Sequence, residues 1–407
     1  MDPLLSRAVA CAVDDDLVVL YHALHEHPEL SGQEAQTAQR LGAALEAAGF
    51  EVHHGIGGHG IAAVLDEGPG PTLLVRADMD ALPVEEATGL PYASRATGPS
   101  PSGGDVPVMH ACGHDLHMAC LVGLARTMGA LRGSWRGRLV LVGQPAEERV
   151  SGAAAMIADG LYDRVGRPDF ALALHVAPGE TEGAVLFTEG TASAGSESID
   201  LLIRGLGGHA AHPDQAVDPV LLAASCVLSF QSIVSRELDP QAFGVLTVAS
   251  VHGGAKHNAI PGEVRLGLNI RFFDDTVRDR LLSAIERVAM GLAAAAGVPG
   301  ELGPVLTLLD ESARPLRNDT AFVRRVRAAV EAALGENRVG SLGPSSGSED
   351  FGAFGDADPP VPLCYFRVGT GPGRLHSPTF APDPRPVLET GVTAFAAAAL
   401  DLLAPPI

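Results

Sequence analysis

Three short apolar runs each break into polar residues at the same end, and this repeated pattern restricts the chain to few folds. Thr72 to Val75 runs into Arg76-Ala77-Asp78, Leu139 to Val142 into Gln144-Pro145-Ala146-Glu147-Glu148, and Phe170 to Leu174 into His175. Aliphatic runs of this length without alternation are expected of strands covered on both faces. Stretches of helical spacing accompany them. From Gln33 to Ala48 the residues Ala35, Ala38, Leu41, Ala44, Leu45 and Ala48 recur on one helix face, Gly49 supplies a stop, and a second helix is expected over about 113–131. Strands mixed with helices predict an α/β fold with a mostly parallel sheet. In such sheets ligands bind beyond the carboxyl ends of the strands, so Asp78, Glu147, Glu148 and His175 are expected in one crevice. Residues 79 to 110, rich in Pro, Gly and Ser, read as a long covering loop.

The pattern changes after about residue 190. Strands are expected at Ser198 to Ile203, Phe243 to Val251, Glu263 to Ile270 and Val305 to Leu309, with helices at Val217 to Ser235 and Asp275 to Ala295. The order βαββαβ is the ferredoxin-like signature. A helix at Thr320 to Leu334, a strand at Leu363 to Val368 and a helix from about Val387 to Leu403 then resume the first pattern. The expected organisation is one α/β domain from 1–189 and 310–407, interrupted by a ferredoxin-like α+β domain over 190–309.

The 407 residues, 46% of them hydrophobic, suffice for two cores. A net charge of −21, with Lys256 the one lysine, leaves no basic stripe for a phosphate backbone and argues against a nucleic-acid partner. No stretch approaches 18 consecutive apolar residues, and Asp14, Asp15 and Asp16 stand where a signal peptide would be apolar, so no membrane partner and a cytoplasmic location are expected. Five cysteines without framework spacing suit a reducing compartment.

The densest chemistry lies in Met109-His110-Ala111-Cys112-Gly113-His114-Asp115-Leu116-His117, with one thiol, three imidazoles and a carboxylate in nine residues. This is metal-ligand composition. A rival reading makes Cys112 a nucleophile, because the positive end of the following helix can lower a thiol's pKa. The Cys-Gly-His spacing and the carboxylates and histidines elsewhere favour the metal.

Five blocks in order, His25-Glu26-His27-Pro28-Glu29-Leu30, Arg76-Ala77-Asp78-Met79-Asp80-Ala81-Leu82-Pro83, the Cys112 block, Gln144 to Glu148, and Leu375-His376-Ser377-Pro378, resemble the aminoacylase and carboxypeptidase G family of two-metal amidohydrolases. Within it the chain is similar to the branch of N-acyl-L-amino-acid amidohydrolases, hippurate hydrolases and hydrolases of indole-acetyl amino-acid conjugates. The resemblance implies two divalent ions per chain, Zn2+ or Mn2+ with Co2+ or Ni2+ also compatible, held by Cys112 as a bridging thiolate and by His114, Glu148, His175 and His376. It implies Glu147 as general base, and His209 as a donor to the oxyanion, commonly in a partner subunit's site. Asn258 and Arg271, thirteen residues apart, would hold the substrate's carboxylate. The larger domain would then be catalytic and the inserted one a lid and dimerisation domain, in a homodimer or higher homo-oligomer acting on a small N-acyl amino acid. Asp78 and Asp115 are expected to orient ligands, and Gly347-Ser348-Glu349-Asp350-Phe351 to support the site. Two segments depart from the family pattern, Phe380-Ala381-Pro382 after the His376 block and Gly267-Leu268-Asn269-Ile270-Arg271 in the inserted domain. A dipeptidase or carboxypeptidase-type metallopeptidase is the nearest rival, and a catalytically silent binding protein on the same fold another.

Overall fold

The computed structural model describes residues 3–100 and 103–404. They form two compact units, one of residues up to Ala192 with Arg317–Pro344 and the chain from Asp350 on, the other of Ser193–Leu316 with Ser345–Glu349.

The first unit is built on an eight-stranded sheet. From edge to edge its strands are Glu51–Ile56, Gly60–Asp66, Arg138–Gln144, Thr72–Asp78, Phe170–Ala177, Leu363–Gly369, Val185–Phe187 and Val339–Ser341. The four in the middle run parallel, an antiparallel pair extends one edge, and Val185–Phe187 lies antiparallel to Leu363–Gly369. From Thr72–Asp78 the chain goes first to the neighbour on one side, Arg138–Gln144, and then to the neighbour on the other, Phe170–Ala177. The strand order thus reverses beside Asp78, the position at which open α/β sheets leave a crevice.

The apolar runs end earlier than the strands that contain them. Arg76 and Asp78 continue the ladder because each is buried as the other's partner at 2.8 Å, so the polar break marks the site rather than the strand end. The covering loop also holds a small hairpin, Thr97–Pro99 with Asp105–Pro107. Helix His114–Ala130 is buried on nearly every side and lies against helix Pro384–Leu402, close enough that a Cβ on Gly123 would sit 2.3 Å from Val392 Cγ2.

The second unit has four antiparallel strands in the order Gly244–Gly253, Glu263–Phe272, Gly195–Arg204 and Val305–Ala313. Numbered along the chain this is 2-3-1-4, the ferredoxin-like arrangement that the element order predicts. Helices Pro219–Ser232 and Asp275–Ala295 bury Leu222, Phe230, Leu281 and Ile285 in one core with Leu201, Leu266 and Ile270 of the sheet. Asp218 and Asp274 cap these helices by accepting from the N–H groups of Val220 and Thr276.

Candidate metal centre

The centre is assembled where two parallel strands end and one helix begins. Gly113 precedes helix His114–Ala130 at φ 82°, and its N–H closes a turn onto the His110 carbonyl at 3.3 Å. The left-handed backbone and the 2.6 Å from a built Cβ to Val176 Cγ2 leave room for glycine alone. This turn puts Cys112 Sγ 3.5 Å from Nε2 of His175, on the strand Phe170–Ala177. His175 Nδ1 donates to the Val176 carbonyl at 2.7 Å, which leaves the Nε2 lone pair facing the sulfur. Burial holds His175 well below the usual imidazole range, so it is neutral and able to ligate.

His114 is set in the same way. Its Nδ1 donates to the Asp80 carbonyl at 2.8 Å, and its buried Nε2 has no hydrogen-bond partner. That nitrogen lies 3.8 Å from Asp78 Oδ2, 3.8 Å from Glu148 Oε1 and 3.9 Å from Glu147 Oε2. Burial opposes a charge on His114, yet Asp78 and the hydrogen bond with Asp80 push its proton affinity well above that of an ordinary imidazole. Negative charge that binds a proton so firmly attracts a divalent cation on the same grounds. Glu148 donates its N–H to Asp80 Oδ2 at 2.9 Å and also carries a buried atom with no hydrogen-bond partner, Oε1, 3.7 Å from His376 Nε2. Burial raises the Glu148 carboxyl to about 7. His376 is aimed by its own backbone, with φ 60° and its N–H on the Ala111 carbonyl at 2.8 Å.

Two donor sets share one atom. Cys112, His114 and His175 form one group, and Cys112, Glu148 and His376 another, with ligand atoms in each within 4.8 Å of one another. Ligands at about 2.0–2.3 Å around one ion lie roughly 3.5 Å apart, and the gaps of 3.5 Å between Cys112 and His175 and of 3.7 Å between Glu148 and His376 fit that spacing. With the orphaned His114 Nε2 and Glu148 Oε1, these residues could hold two cations. A further group, His114, Glu147 and Glu148, sets the Glu147 carboxylate beside the same donors. The rival reading of Cys112 fares poorly, because burial and then Glu148 push its thiol well above the ordinary cysteine value.

The surrounding residues divide otherwise than their spacing suggests. His117 lies within reach of His114 and Asp78, but Nδ1 bonds Asp78 Oδ1 at 2.6 Å and Nε2 accepts the Val176 N–H at 3.0 Å. With both nitrogens used, it supports the site and has no lone pair to give. Asp78 stays ionised despite burial because His114, His117 and Arg76 hold its carboxyl well below the usual range. Arg76 also reaches Gln144 at 2.7 Å and Asp350 at 3.3 Å, and Asp350 accepts from Gln144 and from the Ala153 N–H. Asp115 departs from expectation, since it holds His25 Nδ1 at 2.7 Å and no ligand. Asp80, to which its block gives no role, bonds His114 through its carbonyl and takes Ser31 Oγ and the Glu148 N–H on its carboxylate.

The other three residues singled out in the sequence lie in the second unit. The two-residue strands Gly208–His209 and Ala259–Ile260 pair, and the Ala210 N–H bonds the Asn258 carbonyl at 3.2 Å, which brings His209 and Asn258 together. His209 Nδ1 accepts the Ala211 N–H at 3.1 Å, so the ring's proton is on Nε2, where it can be donated. Arg271 Nε donates to Asn269 Oδ1 at 2.8 Å and Nη1 to Ser348 Oγ, leaving Nη2 without a hydrogen bond among the described residues. Asn269, one of the departures noted above, is itself held by bonds from Nδ2 to Ser196 Oγ and the Glu197 carbonyl.

Comparison with known proteins agrees with this chemistry. Residues 74–401 match the model of peptidase family M20/M25/M40. The chain is 33% identical to an N-acetyl-L-cysteine deacetylase of Bacillus subtilis, over 93% of this chain and 86% of that protein. It is 33% identical to a hippurate hydrolase of Campylobacter jejuni, over 82% and 83%. A solved dinuclear metal-binding peptidase of the M20 family from Bacillus subtilis superposes with a TM-score of 0.80 at 27% identity, covering 96% of this chain and 99% of that one.

Proposed function

The chain belongs to peptidase family M20/M25/M40, and from that membership we propose an amidohydrolase that cleaves N-acyl amino acids, with Glu147 as general base and acid beside two divalent cations. The carrying observation is the shared sulfur. Cys112 completes both donor sets, whose buried His114 Nε2 and Glu148 Oε1 have no other partner. Cys112, His114, Glu148, His175 and His376 would hold the ions, Zn2+ being the one that the sulfur and nitrogen donors suit, with Mn2+, Co2+ and Ni2+ compatible. When bound, they supply Lewis acidity that acidifies water and polarises the amide carbonyl.

Glu147 takes one proton from the attacking water as the new C–O bond forms. It returns that proton to the nitrogen as the C–N bond breaks, giving a carboxylic acid and a free amine. His209, with its proton on Nε2, serves as an oxyanion donor. Asn258 and Arg271 serve the carboxylate of the amino-acid product, and the open Nη2 of Arg271 supports this. The protein works as a homodimer or larger homo-oligomer through the second unit, a reading supported by Leu221 and Leu228, exposed on helix Pro219–Ser232. Its five free cysteines suit the cytoplasm.

Two neighbouring substitutions separate base from ligand. Glu147→Gln is expected to retain both ions and lose about 10²–10⁴ in kcat, whereas Glu148→Gln loses one ion, as read by metal analysis beside turnover. Exchange of the two phenotypes would reverse the assignment.

A further inference from the structure

Glu34 lies outside the five blocks that the sequence singles out, yet its side chain is completely buried. It opens helix Ala35–Ala47 without capping it. Its Oε1 instead accepts two backbone N–H groups, that of Gly32 at 2.8 Å and that of Ala146, 112 residues away, at 2.8 Å. Ala146 is one of three non-glycine residues with positive φ among the described residues, at 50°, a conformation that costs an L-residue roughly 1–2 kcal/mol. The next two residues are Glu147 and Glu148. Their carboxylates depart from a backbone whose direction Ala146 sets, and the partly buried N–H at that bend has Glu34 as its acceptor.

We propose that Glu34 is a positioning residue that fixes the left-handed turn at Ala146 and so aims Glu147 at the reacting water and Glu148 at its ion. Neighbouring contacts show that this turn is braced from one segment. The Glu29 carbonyl accepts the Ala81 N–H at 2.8 Å, and Ser31 Oγ bonds Asp80 Oδ2, the same oxygen that takes the Glu148 N–H. Residues 29–34 thus bind both the loop after strand Thr72–Asp78 and the loop after Arg138–Gln144. Only Oε1 of Glu34 takes part. Oε2 has no hydrogen-bond partner, and burial raises this carboxyl above its ordinary value, so a neutral amide that keeps the carbonyl acceptor preserves the clip.

The inference rests on the roles proposed for Glu147 and Glu148, and its test separates the two. Glu34→Gln, Glu34→Asp and Glu34→Ala are compared with Glu147→Gln at a temperature well below every unfolding midpoint, with kcat, KM and calorimetric titration of the metal-free proteins with Mn2+. Glu34→Gln is expected to stay within about threefold of wild type in kcat. Glu34→Asp, one methylene too short, and Glu34→Ala lose about 10–100-fold in kcat, with KM shifted less than about threefold and the weaker Mn2+ site weakened further. If Glu34→Ala does not fold, Glu34→Asp carries the comparison. Wild-type kcat and Mn2+ affinity in Glu34→Asp, or equal losses in the Gln and Asp variants, would overturn the positioning role. Full turnover in Glu147→Gln would instead overturn the reading of the base, whatever the Glu34 variants do.

Discussion

His25 lies between two buried carboxylates, Asp115 at 2.7 Å and Glu86 at 3.2 Å. Burial disfavours its charge, but Asp115 and then Glu86 outweigh that and raise it to about 9. Because this is above the unfolded value of about 6.5, the contribution to stability is complete below about pH 6.5 and is lost as pH rises through about 9. Its size is on the order of 3 kcal/mol. Urea unfolding of wild type and His25→Gln is expected to show a wide stability gap at pH 6 that closes by pH 9.5, and a gap independent of pH would contradict the charged pairing. Sequence reading reaches such residues unevenly. The thiol and imidazoles around Cys112 declare their chemistry through composition. Which imidazole keeps a lone pair depends on Val176 and Asp78, which occupy both nitrogens of His117, and on Asp80, which occupies only Nδ1 of His114. The role of Asp115 departs from expectation for the same reason, since its partner is 90 residues away.

At the scale of elements, the central strands and the polar residues that close their apolar runs were legible because burial on both faces leaves an unbroken aliphatic run, although each run stops short of its strand's end. Val185–Phe187 and Val339–Ser341 were not, three residues being too few to show a period. The strand Glu263–Phe272 shows what a departure from family pattern can mean. Asn269 stands two residues before Arg271 on the same face and holds its Nε, fixing the direction of the guanidinium. Charge-assisted hydrogen bonds contribute about 1.5–3 kcal/mol, so an N-acyl amino acid is expected to outpace its C-terminal amide by at least about tenfold in kcat/KM. Arg271→Ala should abolish that preference. Equal rates on the two substrates in the native enzyme would refute the carboxylate anchor, and discrimination surviving Arg271→Ala would move the role to another residue.

For the whole molecule, the change of element order after residue 190 announces a ferredoxin-like unit because βαββαβ closes only a few sheets. The segment Ser345–Glu349, which joins that unit from far along the chain, gives no such signal. If His209 works in a partner subunit's site, His209→Ala, itself costing about 10²–10³ in kcat, should complement Glu147→Gln. Mixed and exchanged dimers then regain one working site, and verified exchange without recovery would place His209 in its own subunit's site. The central claim, two cations held by a set of residues that includes Cys112 and required for amide hydrolysis, is tested most directly by titrating metal-free protein with Mn2+ while following amine release from an N-acetyl amino acid. No turnover is expected without metal, with a rise that saturates at two equivalents per chain. Full turnover in the metal-free protein, or saturation at one equivalent, would contradict it.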